Sequence, residues 1–276
     1  MNEEEKNKDC NHMTELDIFQ LFFSDEIIKL LVQESNNYYQ KILIEKYGSD
    51  YKNLILSQES KNSNNKYLFY FVTRGISKED ILAFIGIRIY MGLHKYPNIS
   101  SYWSNNSLYK VNFKRIMSKI YYFLLLKALH FPEKEEGESS SSTTESMSTE
   151  NAAKEDPRHK INLYLEKLAK NFQKYYDLGE NITIDESLVK FKGRNSMKFY
   201  IPMKPHKYGF KIHLLCDSDT HFLYNMLFDP GRVGKDFIFS EGCTSLAESI
   251  VLKLVAPIKD NKKRNIFVMV GILLLV

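Results

Sequence analysis

The chain has 276 residues, 43% hydrophobic, 26% charged and 13% aromatic, enough for one large domain or two ordinary ones. Three scattered cysteines (Cys10, Cys216, Cys243) exclude a disulfide framework and offer no CxxC metal pair, which points to an intracellular, reducing compartment. The net charge of +4 conceals −6 over residues 133–157 and +10 over the remainder, a balance that favours a polyanionic partner.

Residues 1–15 read as a disordered polar tail without the apolar core of a signal peptide. Residues 16–132 read as an all-α domain. Phe19, Phe22 and Phe23 fall at helical spacing, and Ser24-Asp25-Glu26 predicts a second helix start, with the pattern running to about Tyr47. The Ser- and Asn-rich stretch 48–66 predicts a loop. Ser77-Lys-Glu-Asp80 opens a helix over Ile81–Leu93 whose apolar character nearly all round predicts burial. Pro97 stops it, Trp103 is expected to anchor the packing, and a further helix is predicted over 113–129.

Residues 133–157 are acidic and Ser-rich, with too little apolar surface to offset ordering, and predict a disordered insert. An amphipathic helix follows over Ile161–Tyr176. Beyond Gly179 the period changes to that of strands: 181–191, 208–216, 221–228 and 265–270, with a helix over 240–258 before the last. Short turns imply antiparallel neighbours, and the helical crossover permits a parallel pairing. The expected class is α+β, an all-α domain followed at 158–276 by the opening half of an RNase H-like fold. The apolar run 266–276 falls short of the roughly 20 residues of a membrane-spanning helix, so no membrane partner is expected.

Asp185, within the strand segment TIDESLVKF, is a candidate hard-metal ligand, since Mg²⁺ prefers oxygen donors; a solvated strand acid is the plain alternative. Strand alternation points Glu186 to the other face, so the two acids are not expected to chelate one ion. From Ser187 to Cys216 the chain has no Asp or Glu but carries Lys190, Lys192, Arg194, Lys198, Lys204, Lys207 and Lys211. These are interleaved with Phe191, Phe199, Tyr200, Tyr208 and Phe210, a composition that can neutralise phosphates and stack on bases. The alternative is an ordinary solvated face with its aromatic residues in the core. The histidines lack zinc spacing, so no zinc is expected, and no phosphate-cradling glycine motif occurs.

Four segments carry a family resemblance. LDIFQLFFSDEIIKLLVQESNNYYQK (16–41), FIGIRIYMGLHKYPNISSYWS (84–104) and FKRIMSKIYYFLLLKALHF (113–131) resemble segments of piggyBac-type transposases and the domesticated proteins derived from them. NITIDESLVKFKGRNSMKFYIPMKPHKYGFKI (181–212) is similar to that family's "IDE…FkGR…yiP.KP.k.GfKi" core. The resemblance spans about 16–132 and 156–268.

It implies a DDE transposase domain, cut-and-paste DNA transposition, two Mg²⁺ or Mn²⁺ ions held by three aspartates, a nuclear location, and DNA as partner. Asp185 matches the first aspartate. The segment Asn265–Met269 follows the family pattern toward the second, but Val270-Gly271 and an apolar run replace it, and no carboxylate follows Asp260. The expectation is therefore a C-terminally truncated, catalytically inactive DNA-binding remnant, self-associating or pairing with a related transposase. Two other readings stand beside it: a non-enzymatic protein-interaction module for a related transposase or chromatin partner, and an incomplete sequence of an active transposase.

Overall fold

The computed structural model describes residues 13–57, 65–131, 156–260 and 262–268. Residues 1–12 of the tail expected over 1–15, and most of the acidic insert, fall outside these residues; the last part of that tail is instead ordered, with Thr14 capping a helix that begins at Glu15. The described residues divide into two compact units, 24–131 and a second made of 13–23 with 156–268.

The first unit is helical: α2 (Asp25–Tyr47), α3 (Tyr51–Ser57), α4 (Asn65–Arg74), α5 (Lys78–Leu93) and α6 (Lys119–Ala128), with α1 (Glu15–Phe22) assigned to the second unit. Single 3₁₀ turns at Ile99–Trp103 and Phe113–Arg115 precede α6. Ile27, Ile28 and Leu31 of α2 are buried, and α5 presents Ile81, Phe84 and Ile87 inward. A Ser77–Asp80 capping box fixes the start of α5 by satisfying donors that the first turn leaves without helical partners. Trp103 is the anchor its sequence context suggested, buried against Phe113 and Tyr122 and donating its indole N–H to Met117 O at 2.7 Å.

Three readings of this unit are corrected. Residues 48–66 are not all loop, because α3 forms there and buries Tyr51 and Ile55 one turn apart. α5 is not buried all round, since Ile89 and Leu93 lie exposed one turn apart. The stretch 113–129 is a 3₁₀ turn and a separate helix, broken where the Ser118 side chain caps the Tyr121 N–H.

Asn36 joins α2 to the turn before α5. Its amide donates to Val32 O and Ile76 O, and its carbonyl accepts from Ile76 N–H at 2.8 Å. Gly75, with φ +73°, lies so close that an added Cβ would meet Asn36 Oδ1 at 2.9 Å. Asn36→Ala is expected to destabilise the protein by about 1–3 kcal/mol in urea unfolding, the cost of stranding partly buried backbone groups.

In the second unit α1 packs on α7 (His159–Tyr175) because Phe22 meets the rings of Phe172, Tyr175 and Phe222. The sheet comprises β1 (Asn181–Lys190), β2 (Lys198–Tyr200), β3 (Tyr208–Asp217), β4 (Leu223–Phe228) and β5 (Asn265–Val268). β3 is antiparallel to β1, β2 and β4, whereas β5 runs parallel to β1 as the outermost strand among the described residues. The parallel pair requires a crossover, supplied by α8 (Leu246–Val255).

Ile182, Ile184 and Leu215 pack with Ile250 and Leu254 of α8, forming the core of the unit. The helix predicted over 240–258 is thus shorter at its start, because Ser245 caps it by accepting from Glu248 N–H. The short β2 and a 3₁₀ turn at Arg232–Phe237 were not read from the sequence. Gly209 lets β3 approach β1, since an added Cβ there would lie 2.3 Å from Val189 O.

Candidate nucleic-acid interface and metal-ligand position

β1 places Asp185 and Glu186 on opposite faces, as strand alternation requires. Asp185 is half-buried, and its Oδ1 accepts the Glu186 N–H at 2.7 Å. On the same face, burial and then the Asp185 charge push the Cys216 thiol above its ordinary pKa. Thr183 and Ser218 bond each other nearby at 2.7 Å. Among the described residues no group of three or more His, Cys, Asp or Glu side chains converges to hold a metal ion. One carboxylate does not fit the two-ion site that the resemblance implies, since ions about 3.5–4 Å apart need several shared carboxylates.

Glu186 points into a buried charge network. Lys211 Nζ lies 3.3 Å from Asp229 Oδ2 and 3.8 Å from Glu186 Oε2, and 5.0 Å over the Phe199 ring. His213 is fully buried opposite Glu186 in the β1–β3 register, its Nε2 3.2 Å from Asp229 Oδ2. Its Nδ1 is buried and meets no polar partner among the described residues. Burial pushes the Asp229 carboxyl up, but the bond from His213, the Lys211 charge and the Gly231 N–H outweigh it and hold the group below its ordinary value. The sequence reading missed this network because its charged members lie on two strands, β1 and β3, and in the turn after β4.

The seven bases of the acid-free track therefore divide by task. Lys211, assigned by sequence to DNA binding, is only 6% exposed and serves as the hub of the network, because β3 alternation turns it under the sheet. Lys198 is half-buried and holds the 191–197 loop by donating to Gly193 O at 2.7 Å. Lys204, also half-buried, reaches Glu186 O at 3.4 Å. Lys190, Lys192, Arg194 and Lys207 are exposed.

The aromatic residues divide too. Phe191 stacks on Phe210, which meets Phe228, while Tyr200 and Tyr208 remain 55% and 51% exposed with ring centres 4.8 Å apart. Register sets Lys190 opposite Gly209 and Tyr200 opposite Tyr208, so the exposed cations and the tyrosine pair gather at one end of the sheet.

The chain matches the family profile described as "Transposase IS4" over residues 14–270. A solved structure, the cryo-EM structure of the piggyBac transposase synaptic complex with hairpin DNA, is similar at 25% identity with a TM-score of 0.61. The match covers 91% of this chain, and the chain spans 44% of that one. With the profile matched over most of its length, the chain belongs to the piggyBac-type transposase family.

Proposed function

We propose that this 276-residue chain is a transposase-derived DNA-binding protein that grips DNA with the basic end of its sheet and, acting alone, does not cut it. The observation that carries the binding half is the stretch 187–216, which has no acidic residue and places exposed Lys190, Lys192, Arg194 and Lys207 at the same end of the sheet as the exposed Tyr200–Tyr208 pair. Cations neutralise phosphates and exposed rings stack on bases, and the two together match a nucleic acid better than a purely acidic protein surface. The related structure, solved with hairpin DNA, supports the same partner. Such a role belongs in the nucleus.

The antiparallel β1–β3–β4 set with β5 parallel to β1 across α8 supports an RNase H-like reading of the second unit. Transposases of this family generally use divalent metals, and Asp185 holds the position matching the first of the family's three aspartates. The lack of converging carboxylates beside it, among the described residues, supports a non-catalytic role for the isolated chain. Purified protein with terminal-repeat DNA and Mn²⁺ is expected to leave strand integrity unchanged, alike for wild type and Asp185→Ala. Manganese-dependent nicking by wild type, abolished in Asp185→Ala, would overturn the inactive reading.

A second reading draws on the helical unit, where Ile89 and Leu93 expose an apolar turn of α5. It makes the chain an interaction module for a related transposase or a second copy of itself. Co-purification with such a homologue, combined with no shift of duplex DNA, would favour it over the DNA reading.

A further inference from the structure

The loop between β2 and β3 carries an apolar side chain where the surrounding chemistry is cationic. Met203 is 93% exposed, more than any other large apolar residue among those described. A single exposed apolar residue is ordinary on a protein surface and would carry nothing by itself. What sets this one apart is how firmly it is presented. Pro202 and Pro205 flank the Met203-Lys204 pair and restrict φ on both sides. Ile201 N–H donates to Lys207 O across the loop base at 2.8 Å, and Lys204 N–H closes the turn onto Ile201 O at 3.3 Å. The Lys204 ammonium folds back to Glu186 O, so the residue after Met203 is anchored on β1 while Met203 points to solvent.

A stiff tip loses little freedom when it inserts into something, which is the condition under which an exposed thioether favours binding over idle exposure. Exposed Lys207 and His206 follow the tip, and the Tyr200–Tyr208 pair stands at its base. The required partner is polyanionic outside and apolar within. Stacked base pairs between phosphate backbones meet both demands, and apolar wedges such as methionine are used to part base steps.

We propose that Met203 is a wedge that enters the base stack of duplex DNA, making the preferred ligand a duplex with a weakened or already unstacked step rather than a uniform one. This rests on the DNA-binding reading above. The lysines supply affinity for any duplex, and Met203 supplies preference for a deformable one, because an unpaired step removes most of the unstacking cost.

The test uses the full chain with two duplexes of equal length, one fully paired and one carrying a single mismatch beside 2-aminopurine. Wild type is expected to bind the mismatched duplex about tenfold more tightly and to raise 2-aminopurine fluorescence as the base leaves the stack. Met203→Ala should lose that preference and the fluorescence rise while keeping affinity for the paired duplex within about twofold, and Met203→Leu should retain both. Thermal unfolding of each variant, expected to be unchanged for a residue this exposed, separates loss of the wedge from loss of fold. If wild type binds both duplexes equally, or Met203→Ala keeps the preference, the wedge is refuted and general DNA binding stands. If wild type binds neither duplex but binds phosphatidylserine vesicles, both readings fail and the tip is a membrane-binding element.

Discussion

Replacing Asp229 by alanine is expected to cost about 3–5 kcal/mol of folding stability, because it strands a buried lysine. Lys211, His213 and the Gly231 N–H all direct hydrogen atoms at this carboxylate, and none of them reaches bulk water readily. The distant Glu186 oxygen, at 3.8 Å from Lys211, cannot take over the whole task. Urea unfolding should show the loss as a lower midpoint with an unchanged slope. The double variant Asp229→Ala/Lys211→Met should recover part of it, since the uncompensated charge leaves with the lysine. A loss under about 1 kcal/mol would mean that the network is solvated and contributes little.

The same carboxylate gives the pH dependence a sign. Asp229 is held below its ordinary value, and so is Asp217, where burial pushes the group up but the N–H groups of Thr220, Gly179 and Asp219 outweigh it. A carboxyl with a depressed folded pKa contributes stability that is fully present above its unfolded value, near 4, and is lost as pH falls through the folded value. Stability should therefore hold from about pH 7 to about pH 5 and decline below about pH 4. Asp229→Ala, having already lost one such group, should show a shallower acid decline.

The second large effect concerns DNA. Replacing Lys190, Lys192 and Arg194 together by alanine is expected to weaken duplex binding on the order of a hundredfold at about 0.1 M salt. These residues are exposed, so the fold should tolerate the change. Each phosphate that is no longer neutralised should flatten the slope of log affinity against log salt by about 0.9, or about 2.7 for three. Replacing Lys41, Lys46 and Lys52, also exposed but in the helical unit, removes the same formal charge and should leave the slope nearly unchanged. Equal weakening in both variants would reduce the interaction to net charge alone. Lys211→Ala should act differently again, lowering stability first and affinity only through it.

Much of this architecture is legible in the sequence because its signals are local. The Ser77–Asp80 capping box, the period change after Gly179 and the turn-linked strands each declare themselves within a few residues, and the structure forms them there. α3 is hidden because seven residues hold too few turns for a periodic signal, and its burial of Tyr51 and Ile55 depends on its neighbours. The opposed faces of Asp185 and Glu186 follow from alternation alone. The burial of Lys211 follows from the same rule, but only once β3 and its partner acids on β1 and after β4 are paired. A basic run in sequence records charge and not direction, which is why seven candidates become four exposed cations, two that hold loops and one buried hub.

Photocrosslinking tests most directly whether DNA lies on the Tyr200–Tyr208 end of the sheet. Duplex DNA carrying 5-iododeoxyuridine, irradiated with the full chain and digested for mass spectrometry, should yield adducts on peptides from residues 190–208, centred on Tyr200 or Tyr208. Adducts confined to residues 24–131, with none on that segment, would contradict this placement of the DNA.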